Sequence, residues 1–148
     1  MDSPLIQISE MLWDKGIMIN HDGKTKIITP KNLIIWNDCW EKWDWKETAT
    51  KVNNSHAKLP ALYHAPGITG TAIDYAVKRR MIDTLIISTG CGYDGEGPGQ
   101  LPTVEKIKDI QARLGIEVIQ EKSQDAVDTF NKLVSEGKHV VLMYHGTC

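Results

Sequence analysis

Cysteine is scarce in this chain. Cys39, Cys91 and Cys148 are the only three in 148 residues, and no two of them form a CxxC pair. So few and so scattered, they exclude a disulfide framework and a paired zinc motif. An excess of one charge is missing too. The formal net charge is −2, and Lys and Arg are balanced by Asp and Glu in both halves of the chain. Neither half can neutralise a run of phosphates, so nucleic acid is not an expected partner. No apolar run approaches the roughly 20 residues that span a bilayer, and no membrane association is expected. The N-terminus carries Asp2, Glu10 and Asp14 and no basic segment leading into an apolar core. Neither a secretory signal nor a presequence is expected, and a reducing cytoplasm is the expected compartment. What is present is an ordinary globular composition, 41% hydrophobic and 24% charged, in a chain long enough to bury a core without staples.

The hydrophobic period changes along the chain. The first 50 residues read as β. Ile17 and Ile19 are separated from Ile27 and Ile28 by His21-Asp22-Gly23-Lys24, and an Asp-Gly pair between such runs predicts a hairpin. Leu33–Trp36 reads as a short strand. Trp43–Thr48 alternates aromatic and polar residues, which predicts a half-buried strand with Trp43 and Trp45 on one face and Trp36 and Trp40 beside them. Residues 52–68, with Asn53, Asn54, Ser55, Pro60, Pro66 and Gly67, read as a loop.

From residue 71 the period becomes helical. Ile73, Ala76, Val77 and Met81 predict a helix over 71–81 with Thr71 as N-cap. Lys78-Arg79-Arg80 then falls in its last turn, where cations complement the helix dipole. Leu85–Ile87 reads as a buried strand. Val104, Ile107, Ile110 and Leu114 form the stripe of a second helix stopped by Gly115, and a strand follows at Ile116–Ile119. Ser123 is the expected cap of a third helix with the stripe Ala126, Val127, Phe130, Leu133 and Val134, closed by Gly137. The last strand is His139–Tyr144. The order α-β-α-β-α-β over 71–145 predicts one α/β domain: three layers, a mixed central sheet with helices packed on it, and an additional N-terminal β layer.

Candidate chemistry is thin. Gly90-Cys91-Gly92-Tyr93-Asp94-Gly95 is a literal GxGxxG after a strand, the pattern that seats a pyrophosphate on a helix N-terminus. Here the loop runs on through Glu96-Gly97-Pro98-Gly99, so the third glycine opens no helix. Asp94 and Glu96 also stand where phosphate would sit, each costing about 0.5–1 kcal/mol at ~6 Å in a water-like dielectric. Gly23-Lys24-Thr25 resembles the end of a P-loop, but position 18 is Met18 where a glycine is needed, in the context of a hairpin. Cys91 lacks the arginine of a CxxxxxR phosphatase loop, since position 97 is Gly97. It lacks the flanking glycines of a nucleophile elbow too, these being Thr89 and Tyr93. His145 and Cys148 could give two zinc ligands, with Cys39 or another histidine completing the set, yet no second paired motif exists. No catalytic residue, cofactor or metal is expected.

Several of these pieces together resemble the MTH-type domain family: Trp43-Asp44-Trp45-Lys46-Glu47-Thr48, Pro66-Gly67, Gly90-x-Gly92, Gly115-Ile116-x-Val118, the Ala126–Gly137 helix and the His145-x-Thr147-Cys148 end. The resemblance runs from about residue 9 to the C-terminus, with departures at residues 52–63 and 93–100. It implies a three-layer α/β fold and no established catalytic residues. Family members are linked to adipocyte differentiation and respiratory-complex assembly, which implies an adaptor or scaffold. The reading that follows is a non-enzymatic, cytoplasmic protein-binding domain with the loop Gly90, Cys91, Gly92, Tyr93, Asp94 and Glu96 as its contact surface. The alternatives are a nucleotide-binding enzyme or sensor using the Gly90–Gly99 loop, and a subunit of a homo-oligomer.

Overall fold

The computed structural model describes residues 4–12, 16–30, 32–43, 68, 70–88 and 106–145. It is an α/β arrangement of two sheets and, among the described residues, three helices. Strands β1 (Ile6–Leu12), β2 (Gly16–His21) and β3 (Lys24–Ile28) form an antiparallel three-stranded sheet. The expected Asp-Gly hairpin joins β2 to β3. Asp22 and Gly23 stand at φ 55° and 72°, the left-handed pair that a tight turn between twisted strands requires. Strand β1 lies outside the expected set, although Ile6 and Ile8, both buried, alternate with Gln7 and Ser9.

The second sheet has the order β5-β4-β8-β6-β7. Its members are β4 (Asn32–Trp36), β5 (Trp40–Lys42), β6 (Thr84–Ser88), β7 (Glu117–Glu121) and β8 (Val140–His145). The sheet is mixed. β6 runs parallel to β7 and β8, while β4 is antiparallel to β8 and β5. The central strands β6 and β8 are buried along their whole length, as strands covered on both faces must be.

Helices α1 (Gly70–Lys78), α2 (Ile107–Leu114) and α3 (Ser123–Ser135) divide between the two faces. Leu33, Ile35, Ile86, Leu142 and Tyr144 turn to one face. There they meet Ala126, Val127, Phe130 and Val134 of α3 and the isoleucines of the three-stranded sheet. Ile34, Trp36, Leu85, Ile87, Val141 and Met143 turn to the other face and meet Ile73, Ala76 and Val77 of α1 and Ile110 of α2. This is the period-2 alternation of a sheet with two wet-side covers. Asn131 locks α3 to β1 across the bulge near Ser9: its Oδ1 accepts from Ile8 N–H and its Nδ2 donates to Ile8 C=O, both at 2.7 Å. α2 and α3 end at Gly115 and Gly137, both at positive φ, where a Cβ would be strained.

Several expectations are corrected. α1 begins at Gly70, so Thr71 lies inside its first turn, and it ends at Lys78. Arg79 and Arg80 therefore leave the helix, and Met81 is 87% exposed instead of joining the apolar stripe. Past that end Arg79 lies over the Trp36 and Tyr75 rings, and Ile82 makes the apolar contact expected of Met81. Ser123 is the first helical residue of α3, not its cap. Lys122 occupies the cap position with no side-chain bond, and the Ser123 hydroxyl points into the protein. The strand expected from Ile116 begins at Glu117. The strand expected at 43–48 is not seen at Trp43, which follows the end of β5 and packs partly buried against α1's face of the sheet. Residues 44–48, including Trp45, lie outside the described residues, as do 52–67 of the expected loop. Trp36 is buried, whereas Trp40 is partly exposed.

Candidate functional site

The expected contact loop, Gly90, Cys91, Gly92, Tyr93, Asp94 and Glu96, lies outside the described residues, and so does Cys148. Ser88, the last residue of β6, is described. Beside it, at the same end of the sheet, are His145 closing β8, Asn32 opening the antiparallel β4 and Ser123 opening α3. Ser88, Ser123 and His145 are fully buried, so their polar atoms must find each other. The Ser123 hydroxyl donates to His145 C=O at 2.6 Å, and His145 N–H donates to Ser88 Oγ at 3.1 Å. With Ser123's proton spent on the carbonyl, Ser88 donates across the 2.6 Å contact between the two hydroxyls. The His145 ring is also committed. Asn32 Oδ1, an acceptor, lies 2.6 Å from Nδ1, so that nitrogen carries the proton. The serine hydroxyls meet the main chain of His145, which makes this cluster a knot tying β6, β8 and α3 together.

The opposite end of the sheet is built differently. The turn after β4, the segment joining α1 to β6, the end of α3 and the residue before β1 surround a cavity of about 500 Å³. Leu5, Trp36, Met81, Ile82 and Val134 give it apolar walls, and Asn37, Asp38, Arg80 and His139 give it polar ones. Trp36 is pinned by its indole N–H, which donates to Ala76 C=O of α1 at 2.9 Å. Asn37 holds the turn by bonding Lys138 C=O and Val140 N–H, both at 2.7 Å. Asp83 holds the opposite wall by accepting from His139 N–H at 3.0 Å. The cavity is a product of the fold, not of one mobile side chain.

A set of half-exposed side chains continues from this cavity along α1. Tyr75 Oη donates to the Glu41 carboxylate at 2.8 Å and accepts from Arg79 at 2.8 Å. Arg79 also pairs with Glu41 at 3.3 Å and lies 5.7 Å and 5.6 Å from the ring centres of Trp36 and Tyr75, within cation–π range. The bond to Glu41 is the main reason the Tyr75 phenol is pushed above its ordinary value. Arg80 Nη2 donates to Cys39 Sγ at 3.0 Å and lies 3.6 Å from Asp38 Oδ1. Burial raises the Cys39 thiol above its ordinary value, and Arg80 only partly offsets this by favouring the thiolate.

No family model matches the chain. Solved structures do. A conserved hypothetical protein of Pyrococcus horikoshii is similar over 96% of this chain and 99% of its own, at 19% identity and a TM-score of 0.64. A Bordetella parapertussis protein is similar over 99% of both chains, at 17% identity and a TM-score of 0.59. An outer membrane protein of Bartonella henselae is similar over 95% of both, at 14% identity and a TM-score of 0.51. Likeness at these identities shows a shared α/β fold. No helix among the described residues is long and apolar enough to cross a membrane.

Little in the sequence marks the residues that line the second site. Leu5, Asn37, Asp38 and His139 carry no motif, and Arg79, Arg80 and Met81 are absorbed there into a helix. One signal was available: three charged residues followed by Met81 and Ile82 sit immediately before a buried strand, where an amphipathic helix has no room to continue. Among the described residues, no group of three or more His, Cys, Asp or Glu side chains could hold a metal ion.

Proposed function

We propose that this chain is a cytoplasmic partner-binding domain of the MTH-type family, acting as an adaptor and not as an enzyme, and that it docks through the shoulder formed by Tyr75 of α1 with Arg79 and Met81 just beyond the helix. The observation that carries the reading is the state of Tyr75, Arg79 and Met81. Tyr75 is 46% exposed and Met81 87% exposed, yet Tyr75 and Arg79 are already fixed by three polar contacts and two ring contacts. Tyr and Arg dominate binding hot spots, and side chains ordered in advance lose little entropy on docking. An exposed Met beside them supplies adaptable apolar surface. The motif resemblance supports the adaptor role, and the commitment of the Ser88, Ser123 and His145 groups to one another supports a non-catalytic reading.

The test is site-specific photocrosslinking in cells, with the crosslinker at Tyr75, at Met81 or at Ile27. Ile27 is 58% exposed on β3 and serves as the distant control. The expected result is one shared adduct from positions 75 and 81 and none from 27, lost when Arg79 is changed to Glu. Adducts identical at all three positions, or absent at 75 and 81, would remove the shoulder as the docking surface.

A further inference from the structure

The cavity beside the shoulder holds polar groups that the fold has not used. Asn37 spends both ends of its amide on the main chain, and Asp83 spends its carboxylate on Thr84 and His139 N–H. The carbonyls that end α3 are taken as well: Leu133 C=O accepts from Lys138 N–H and Val134 C=O from Gly137 N–H. That removes the acceptors which would otherwise favour a cation at a helix C-terminus. Arg80 is different. Among the described residues its guanidinium meets only Cys39 and Asp38, both through Nη2. Both contacts use the nitrogen shared by the two forked edges of the planar group, and they leave Nη1 and Nε as separate single donors. The His139 imidazole, on an exposed residue of the same cavity wall, likewise has no side-chain partner among the described residues.

We propose that this cavity is a binding site for a small amphipathic carboxylate, an aliphatic or aromatic acid. The uncommitted Arg80 groups are charged donors, each able to meet one carboxylate oxygen, and the His139 ring offers a further N–H. Leu5, Met81, Ile82 and Val134 around it cover an apolar body, and about 500 Å³ is the size of a small-ligand site. Among the described residues, Asp38 is the one carboxylate in the lining. At 3.6 Å it makes a long contact with Arg80 and occupies only the Nη2 side. This inference goes beyond the docking role: the two share Met81, but the ligand contacts rest on Arg80 and His139 and the docking contacts on Tyr75 and Arg79.

The test titrates the purified chain with octanoate, octanol and octylamine, followed residue by residue through backbone amide NMR shifts. Octanoate is expected to shift the amides of Leu5, Asn37, Ile82 and His139 saturably. Octanol and octylamine should bind at least several-fold more weakly. Arg80→Gln should lower octanoate affinity roughly tenfold or more, the loss that follows from removing a charge-assisted pair. Met81→Asp should lower it too, by placing a carboxylate in the apolar wall. Absence of shifts, equal binding of octanol, shifts centred on β3, or unchanged affinity in Arg80→Gln would each overturn the proposal. Should Arg80→Gln fail to fold, the comparison of octanoate with octanol on the unaltered chain decides. Octanoate binding without crosslinks at Tyr75 would overturn the docking role alone, and crosslinks without octanoate binding would overturn this inference alone.

Discussion

The two ends of the five-stranded sheet solve the same problem in opposite ways. At one end Ser88, Ser123, His145 and Asn32 bring polar groups into the interior and pair them with one another at 2.6–3.1 Å. At the other end Asn37 and Asp83 tie down the main chain, while Arg80 and His139 border a cavity with donors to spare. A saturated buried cluster holds strands in place and offers nothing to a ligand, because every donor it could present is needed at home. An unsaturated rim on a rigid frame offers binding at little structural cost. The distinction is why both proposals lie at the cavity end, even though the residue types at the knot, two serines and a histidine, look more like chemistry.

The largest break of this comparison is Trp36→Ala. Trp36 is buried beneath the cavity and bonded to α1. Its truncation should cost about 3–5 kcal/mol, the usual range for a large buried aromatic, read as a lower midpoint in urea denaturation. Arg80→Gln and Met81→Asp, on exposed side chains of the same rim, should stay within about 0.5 kcal/mol of the unaltered chain. If either cost as much as Trp36→Ala, the rim would be part of the core and the contrast between the two ends would collapse.

Ser88→Ala sharpens the other side. It leaves the buried His145 N–H without its acceptor and removes a partner of Ser123, which should cost about 1–3 kcal/mol. Ser123→Ala should cost a similar amount. The double variant should cost less than the sum, since both break one network. Strict additivity, or a loss below about 0.5 kcal/mol for either serine, would mean that the knot is not structural and that its groups are free for another role.

How much of this was legible in the sequence follows from the range of each force. The hairpin at Asp22-Gly23 and the helix stops at Gly115 and Gly137 are set by local backbone geometry, and all three positions have the positive φ that their residue types allow. The stripe of α3 is legible because burial on a helix is periodic: of the five expected residues Ala126, Val127, Phe130 and Val134 are buried, and Leu133 is partly buried. What failed was decided by partners far along the chain. Ser123 was expected to cap a helix beside it, but its hydroxyl goes to His145, 22 residues away. Arg79 and Arg80 were expected to serve the dipole of α1, but Glu41, Trp36, Cys39 and Asp38 claim them from the β4–β5 region. The cavity was illegible for the same reason. Its walls come from four separate segments, and no spacing in a linear sequence joins Leu5 to Arg80 and His139.

The smallest expected effect tests whether Arg80 is held as described. Burial raises the Cys39 thiol, and the Arg80 guanidinium 3.0 Å from its sulfur pulls it part of the way back. The thiolate is the form that reacts, so Cys39 should be alkylated by iodoacetamide more slowly than a free thiol at pH 8.5. In Arg80→Gln the offset is gone, the thiol rises further and alkylation of Cys39 should slow again, by a few-fold at most. The sign for stability follows from the same shift. The folded chain holds this proton more tightly than the unfolded chain, so the small contribution is complete below the ordinary thiol range. It fades as pH rises through that range toward the folded value. Peptide-resolved mass spectrometry separates Cys39 from Cys91 and Cys148. Faster labelling of Cys39 in Arg80→Gln would show that the guanidinium shields the sulfur more than it activates it. Arg80 would then be a lid over Cys39 and not a donor anchored beside the cavity.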